Sequence, residues 1–262
     1  MSEDLLSRVD ARVLVLTMNR PERRNALSPA MENALRAALI DADRNDAIGA
    51  VVLTGASPAF CAGGDVKRMA EASTDFNEAE RIEQMRARCE LSRLLHEIGK
   101  PTIAMINGSA AGAGLSLALA CDLRLAARSA AFSTAFIKVG LAGDFGMHYF
   151  LNRLVGSGRA RELLLTARSI DTAEAERIGL ITPAVDDLAL EAETMTVARA
   201  LANGPGLGQR LLKRNLNVAE DGDLAAVLDA EIRNHMMALR SAALREAVSA
   251  FAEKRPPKFT GR

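Results

Sequence analysis

The chain has 262 residues, 49% apolar and 25% charged, the balance of an ordinary soluble globular protein built as one large domain or one domain with an appendage. Lys plus Arg equals Asp plus Glu at 33 each, which excludes a global positive field for holding nucleic acid or an anionic membrane. Residues 1–10 lack the cationic start and apolar run of a secretory leader, and no apolar stretch approaches the roughly 20 residues of a membrane span, so a cytoplasmic protein is expected.

Val13 to Met18 and Ala50 to Thr54 are short apolar runs bounded by turn residues, as expected of buried strands. Between them Ser28 to Asp43 reads as a helix, with Ser28 as cap, Pro29 at the first helical position and Glu32 in the first turn. A polar amphipathic helix from about Asn77 to Ile98 and a boundary at Pro101 precede a strand at Thr102 to Ile106. An Ala/Leu-rich helix from about Gly114 to Cys121 then leads to a strand at Leu123 to Ala126. Strand, helix, strand recurs, which argues for an α/β fold of parallel strands joined by right-handed crossovers.

After about residue 145 the strand signals fade. Helices are predicted at Gly146 to Val155, Arg159 to Thr166, Thr172 to Ile178, Leu188 to Leu201 and Pro205 to Asn217. The run Asn203-Gly204-Pro205-Gly206 reads as a linker, dividing a core of residues 1–203 from a helical region of residues 204–262. The apolar faces between Leu224 and Phe251 need a cover, and another subunit could supply it. Cys61, Cys89 and Cys121 have no CxxC spacing, and His96, His148 and His235 are scattered, so reduced thiols and no structural metal are expected.

Two glycine loops are candidates for binding a ligand oxygen. Phe60-Cys61-Ala62-Gly63-Gly64-Asp65 follows a strand and precedes a helix, and its paired glycines leave the Gly64 N–H unshielded. Asn107-Gly108-Ser109-Ala110-Ala111-Gly112-Ala113-Gly114 also runs from strand into helix. Its small side chains admit a ligand to the backbone, and the free N–H groups of a helix start carry about half a positive charge. Either loop taken alone also fits a tight turn that packs a helix on a strand. The dinucleotide fingerprint fails, because Leu117 stands where its third glycine would fall, and there is no GxxxxGK[ST] run.

The segments Arg20 to Leu27, Phe60 to Asp65, Ile106 to Asp122 and Phe251 to Phe259 together resemble the enoyl-CoA hydratase/isomerase, or crotonase, superfamily. The resemblance implies a spiral of ββα units with a helical C-terminal region that packs in trimers, often paired into hexamers. It implies an acyl-CoA thioester substrate and no separate cofactor, the CoA being carried by the substrate. It puts an oxyanion hole on the N–H groups of Gly64 and Ala113, each donor of such a pair being typically worth about 3 to 4 kcal/mol of transition-state stabilisation. CoA would lie against Arg24, Ala26, Ala62, Asp65 and Val66, with Lys254 and Phe259 contributing from the tail. Gly112, Ser116 and Phe136 would lie around the acyl group.

An oxyanion hole stabilises an enolate but moves no protons, so a base is needed. In the family pattern, the two positions where hydratases carry paired glutamates hold Ser116 and Phe136 here. Asp144, between Gly143 and Phe145, resembles the aspartate that family isomerases and aryl-CoA dehalogenases place at this point. Its neighbours equally fit a helix cap or a turn residue. As a base it would suffice for an allylic proton shift, and Phe136, Leu141, Phe145 and Met147 would raise its pKa. Ser116 could hold a water or face its own helix backbone, and His148 and Tyr149 could line the acyl pocket or pack. His96 reads as a helix-face residue and Asp122 as structural. The competing readings are a hydratase, a dehalogenase using Asp144 as nucleophile, and a non-catalytic relative binding CoA thioesters or RNA. Neutral charge speaks against RNA.

Overall fold

The computed structural model describes residues 3–71 and 77–259, with side chains from residue 69 to 71 left aside. In chain order the elements are β1 (Leu5–Asp10), β2 (Val13–Met18), α1 (Pro29–Arg44), β3 (Ala50–Gly55), β4 (Ala59–Cys61), α2 (Val66–Glu71) and α3 (Glu78–Glu97). There follow β5 (Thr102–Ile106), β6 (Ser109–Ala111), α4 (Ala113–Ala120), β7 (Leu123–Ala127), β8 (Ala131–Ser133), α5 (Met147–Thr166), β9 (Ile170–Asp171) and α6 (Thr172–Arg177). The chain then forms β10 (Ala184–Val185), α7 (Leu190–Ala202), α8 (Gly206–Asp221), α9 (Leu224–Leu239) and α10 (Ala242–Ala252).

Two sheets share the strands. One has the order β1-β2-β3-β5-β7-β10 and the other β4-β6-β8-β9. Each turn of the chain gives one strand to each sheet: β3 then β4, β5 then β6, β7 then β8. That alternation is a spiral of ββα units. Strands β3 and β5 are buried along their whole length, which is why they read as unbroken apolar runs rather than alternating ones. Helix α7 packs on β2, β3, β5 and β7 from one side, and all eight residues of α4 are buried.

The helix signals fall where the sequence puts them. Ser28 accepts from the Met31 N–H at 3.1 Å with Pro29 behind it, and Asn77 caps α3 by accepting from Ala79 and Glu80. The predicted break between two helices after Val155 falls at Gly156, whose φ of 75° and ψ of 159° interrupt α5. Three features differ. Strand β1 pairs antiparallel with β2 through a turn whose two central residues, Ala11 and Arg12, both have positive φ without being glycine. The second sheet runs through what reads as loops. Helix α8 continues four residues past Asn217.

Helix α8 is pinned to the core by Lys213, whose ammonium donates to Asp122 at 2.7 Å and to the carbonyls of Leu95 and Lys100 at 3.2 and 3.3 Å. Asp122 also accepts from the N–H and hydroxyl of Thr102, which is the structural part expected of it. Further along, Leu212, Leu216, Leu224, Ile232, Val248 and Phe251 are exposed on α8 to α10. Among the described residues no helix is long and apolar enough to cross a membrane.

Asn25 locks the turn that precedes α1. Fully buried, it donates to the carbonyls of Ala56 and Ala59, both at 2.7 Å, and accepts from the Arg20 N–H at 2.9 Å. Asn25→Ala strands these buried groups, so it is expected to cost about 2 to 4 kcal/mol. In a thermal melt that loss lowers Tm by roughly 4 to 16 °C for a chain of this size.

Candidate active site

Strands β4, β6 and β8 are parallel neighbours, and the residues just past their C-terminal ends converge. This is the edge of a parallel sheet at which ligands bind, because the turns there leave backbone donors free. After β4 come Gly63 and Gly64, after β6 Gly112 and Ala113, and after β8 the segment leading to Phe136.

The approach of the first two is close. A Cβ on Gly63 would lie 2.7 Å from the Ala111 carbonyl oxygen and 3.0 Å from the Ala113 nitrogen, and one on Gly114 would meet Cys61 at 2.4 to 2.7 Å. Gly63 also has φ of 87°. Glycine is thus required at this contact on two grounds. Among the described residues no backbone acceptor pairs with the N–H of Gly64 or of Ala113, the first residue of α4. Both donors are available to a ligand oxygen, and the start of α4 adds its dipole at Ala113.

The expected CoA-side residues come together. The Ala62 N–H donates to the Arg24 carbonyl at 2.9 Å and the Leu27 N–H to the Gly63 carbonyl at 2.8 Å, joining residues 24–27 to residues 62–64. Asp65 accepts from Arg20 at 3.3 Å and from the Arg68 N–H at the start of α2; burial works against its charge, yet these partners hold the carboxyl below its ordinary value. Val66 opens α2 and is exposed. Arg20, the first residue of the Arg20 to Leu27 motif, also donates to the Ala26 carbonyl at 2.8 Å, so that carbonyl already has a partner. No hydrogen bond or ion pair ties Lys254 or Phe259 to these residues among the described ones. Their segment is held instead by Glu246, which pairs with Arg255 and accepts from the Lys258 N–H.

On the acyl side, Gly112 has φ of 49° and ψ of −128°, a conformation for glycine, and the edge of the Phe136 ring lies beside it. Ser116 is fully buried. Its hydroxyl faces the carbonyl of Gly112 on its own helix at 3.3 Å, the alternative the sequence left open, and that of Asp144 at 3.1 Å, so it supports the Asp144 backbone. From the other side, Ser92 on α3 donates to the Phe145 carbonyl at 2.7 Å. The segment so pinned holds one strained residue: Phe145, fully buried, has φ of 50°, between Gly143 and Gly146, whose φ of 109° and 75° glycine adopts freely. Such departures cluster where function over-determines the backbone.

The Asp144 carboxyl is raised above its ordinary pKa, first by burial, with Arg88 opposing and Glu32 adding to the shift. Its Oδ1 is buried and has no hydrogen-bond partner among the described residues. The apolar wall comes from Phe136, Phe145 and Met147, all buried, while Leu141 is 42% exposed and encloses little. Two residues left open between lining the acyl pocket and packing have these places in the structure. His148 is exposed and lies against Gly143, where a Cβ would meet its ring at 2.6 Å. Tyr149 turns the other way, its hydroxyl bonded to Glu220 on α8. His96 stands beside it, also paired with Glu220 at 3.2 Å.

A cleft of about 680 Å³ opens between α1, α2 and α3, with Leu27, Glu32, Asp65, Met85, Arg88 and Leu91 among its walls. It begins beside Gly64, since Leu27 bridges to that residue. Glu32 and Arg88 form a bidentate pair across it, the Arg88 Nε and Nη2 reaching both carboxylate oxygens at 2.8 to 3.0 Å. The Arg88 guanidinium lies 5.6 Å from the centre of the Phe145 ring, next to Asp144. Sequence reasoning missed this pair. Burial pushes the Cys61 and Cys121 thiols up to about 12, which keeps them protonated and unreactive.

Comparison with known proteins fits this geometry. The enoyl-CoA hydratase/isomerase family model matches residues 8–262. A protein of Escherichia coli K12 named 1,2-epoxyphenylacetyl-CoA isomerase is 40% identical over 262 residues, covering 100% of both chains. One of Rhodobacter capsulatus named as a probable enoyl-CoA hydratase is 42% identical over 248 residues, 95% of this chain and 94% of the other. The crystal structure of an enoyl-CoA hydratase from Bacillus anthracis superposes with a TM-score of 0.92 at 30% identity, covering 99% of this chain and 100% of that one.

Proposed function

The chain belongs to the enoyl-CoA hydratase/isomerase family, and from that premise we propose that it moves a carbon–carbon double bond along the acyl group of a CoA thioester, with Asp144 as the single base. The supporting observation is the setting of that carboxylate. It is partly buried on a segment pinned to α3 and α4, the helix that starts at Ala113, with an unpartnered oxygen. Phe136 beside Gly112 offers no acid or base, the Ser116 hydroxyl is committed to backbone carbonyls, and Glu32 is engaged by Arg88.

The steps balance with one base. Asp144 takes the α-proton of a 3-enoyl thioester, and the C–H electrons move into the thioester to leave a dienolate whose oxygen is held by the N–H groups of Gly64 and Ala113. The protonated Asp144 returns the proton at the γ-carbon, the double bond forms between the α- and β-carbons, and no atom is gained or lost. A raised pKa suits a group that must both take and give a proton. The E. coli relative, named as an isomerase, fits this reading. Hydration is the second reading, carried by the name of the R. capsulatus relative, and it needs a second group to handle water where Phe136 stands. The reading includes assembly: the exposed apolar faces of α8 to α10 are covered by further copies of the chain, as a homotrimer or a dimer of trimers.

A panel of 2-enoyl-, 3-enoyl-, dienoyl- and aryl-CoA thioesters, followed by NMR and mass spectrometry, tests the function. The expected product is a positional isomer of unchanged mass in ordinary water that acquires deuterium at the α- or γ-carbon in heavy water. Gain of one water as the main outcome would replace the isomerase reading with hydration.

A further inference from the structure

Glu32 and Arg88 set charges on the wall of a cleft that an acyl tail would enter. Each lies on the apolar stripe of its helix: Glu32 is in register with buried Leu35, Leu39 and Ala42 on α1, and Arg88 with buried Leu91 and Leu95 on α3. Burying such a pair costs desolvation that a contact between two leucines would not, so the pair is a weak source of fold stability.

The guanidinium is only partly used. Its Nε and Nη2 grip Glu32, whereas Nη1 meets, among the described residues, only the Met85 thioether at 3.2 Å, a weak acceptor. Glu32 thereby fixes the plane of the fork and neutralises its charge, leaving Nη1 as an oriented donor on a residue that lines the cleft. The same guanidinium lies over the Phe145 ring at 5.6 Å, one residue from Asp144.

We propose that Arg88 is a specificity-determining residue whose Nη1 donates to a neutral oxygen on the acyl group, a hydroxyl, ether or carbonyl placed beyond the reacting carbons. The proposal rests on the reading of Asp144 and the glycine loops as the acyl site, and it names the substrate class as oxygenated acyl-CoA thioesters. A plain hydrocarbon tail entering the cleft strips water from Nη1 and returns no acceptor. An oxygen at that point restores the bond, and a charge-assisted one. A second carboxylate is a poorer fit, because Glu32 already supplies the negative charge.

The test uses two 3-enoyl-CoA thioesters of equal length, one with an ether oxygen replacing a methylene beyond the γ-carbon, together with their saturated, unreactive counterparts. Rates and binding are measured for the parent, for the double variant Glu32→Gln/Arg88→Met and for Arg88→Lys. The double variant is needed because removing Arg88 alone leaves a buried, unpaired carboxylate that threatens folding. The parent is expected to prefer the oxygenated member by about 10- to 100-fold in kcat/KM, a preference seen also in Kd for the saturated pair. The double variant brings the ratio near one, and Arg88→Lys, which keeps a donor without the fork, gives an intermediate ratio. A ratio near one in the parent, or one unchanged in the double variant, overturns the proposal and leaves the pair as a clamp between α1 and α3. If the parent isomerises neither compound yet binds the saturated pair with the stated preference, the isomerase reading falls and this one stands; isomerisation of both without preference overturns this one alone.

Discussion

Asp144→Asn is expected to lower kcat for double-bond migration by about 10²- to 10⁴-fold, the usual contribution of a positioned general base, while KM changes little. Deuterium exchange at the α- and γ-carbons should vanish with it; exchange at the parental rate would remove Asp144 from the mechanism. The same variant has a second expected effect, of opposite sign, on stability. Burial raises the Asp144 carboxyl above its ordinary value, more than Arg88 offsets, with Glu32 adding to the rise. At pH below the ordinary carboxylate range the group is neutral in both states and contributes nothing. As pH rises the unfolded chain ionises first, so folding loses stability until the folded-state pKa is passed, and the loss is complete above it. Asparagine carries no charge to bury. The variant should therefore melt higher than the parent at pH 7, with the gap closing as pH falls toward about 4. A dead enzyme that is also less stable at pH 7 would mean that the carboxylate was holding structure, contrary to the unpartnered Oδ1.

Gly63→Ala is expected to reduce turnover by about 10²- to 10³-fold, the effect of displacing one oxyanion donor, without touching any side chain of the site. The new methyl would stand 2.7 Å from the Ala111 carbonyl oxygen and 3.0 Å from the Ala113 nitrogen, on a residue with φ of 87°. The strand ends must part, which would spoil the proposed sharing of one oxygen by the Gly64 and Ala113 N–H groups. Strain and overpacking together should cost about 1 to 3 kcal/mol of stability. Gly158→Ala is the control, since a Cβ there meets nothing within 4 Å and the residue lies in a helix. It should leave turnover unchanged and melt no lower than the parent. Turnover of Gly63→Ala within a factor of two of the control would show that the approach of the two loops does not set the oxyanion geometry.

How far the sequence revealed these features depended on whether the deciding signal was local. The caps Ser28 and Asn77, the break at Gly156 and the buried runs of β3 and β5 each show within a few residues, and each stands where expected. Strand β1 does not show, because Leu6 and Val9 face solvent and its turn at Ala11 and Arg12 lacks the glycine or asparagine that marks a hairpin. Strands β4, β6 and β8 have three residues each, too few to display a period, and only their neighbours define them. The two glycine loops were legible as loops, but their meeting at Gly63 and Ala113 spans some fifty residues of chain. Glu32 and Arg88, 56 residues apart, were overlooked for the same reason. A signal did exist: a charge on the apolar stripe of each of two helices invites the search for its counterpart.

The two serines that steady the Asp144 segment grip main-chain carbonyls, Ser116 that of Asp144 and Ser92 that of Phe145. Neither is bonded to the carboxylate. The attachment of the side chain is thus fixed while its carboxyl oxygens are left outside these two bonds, and Oδ1 has no hydrogen-bond partner among the described residues. A base clamped by hydrogen bonds to its oxygens would serve one carbon well and its neighbour badly. A base that swings on a rigid hinge can collect a proton at one carbon and deliver it two carbons away, with the acyl group motionless between.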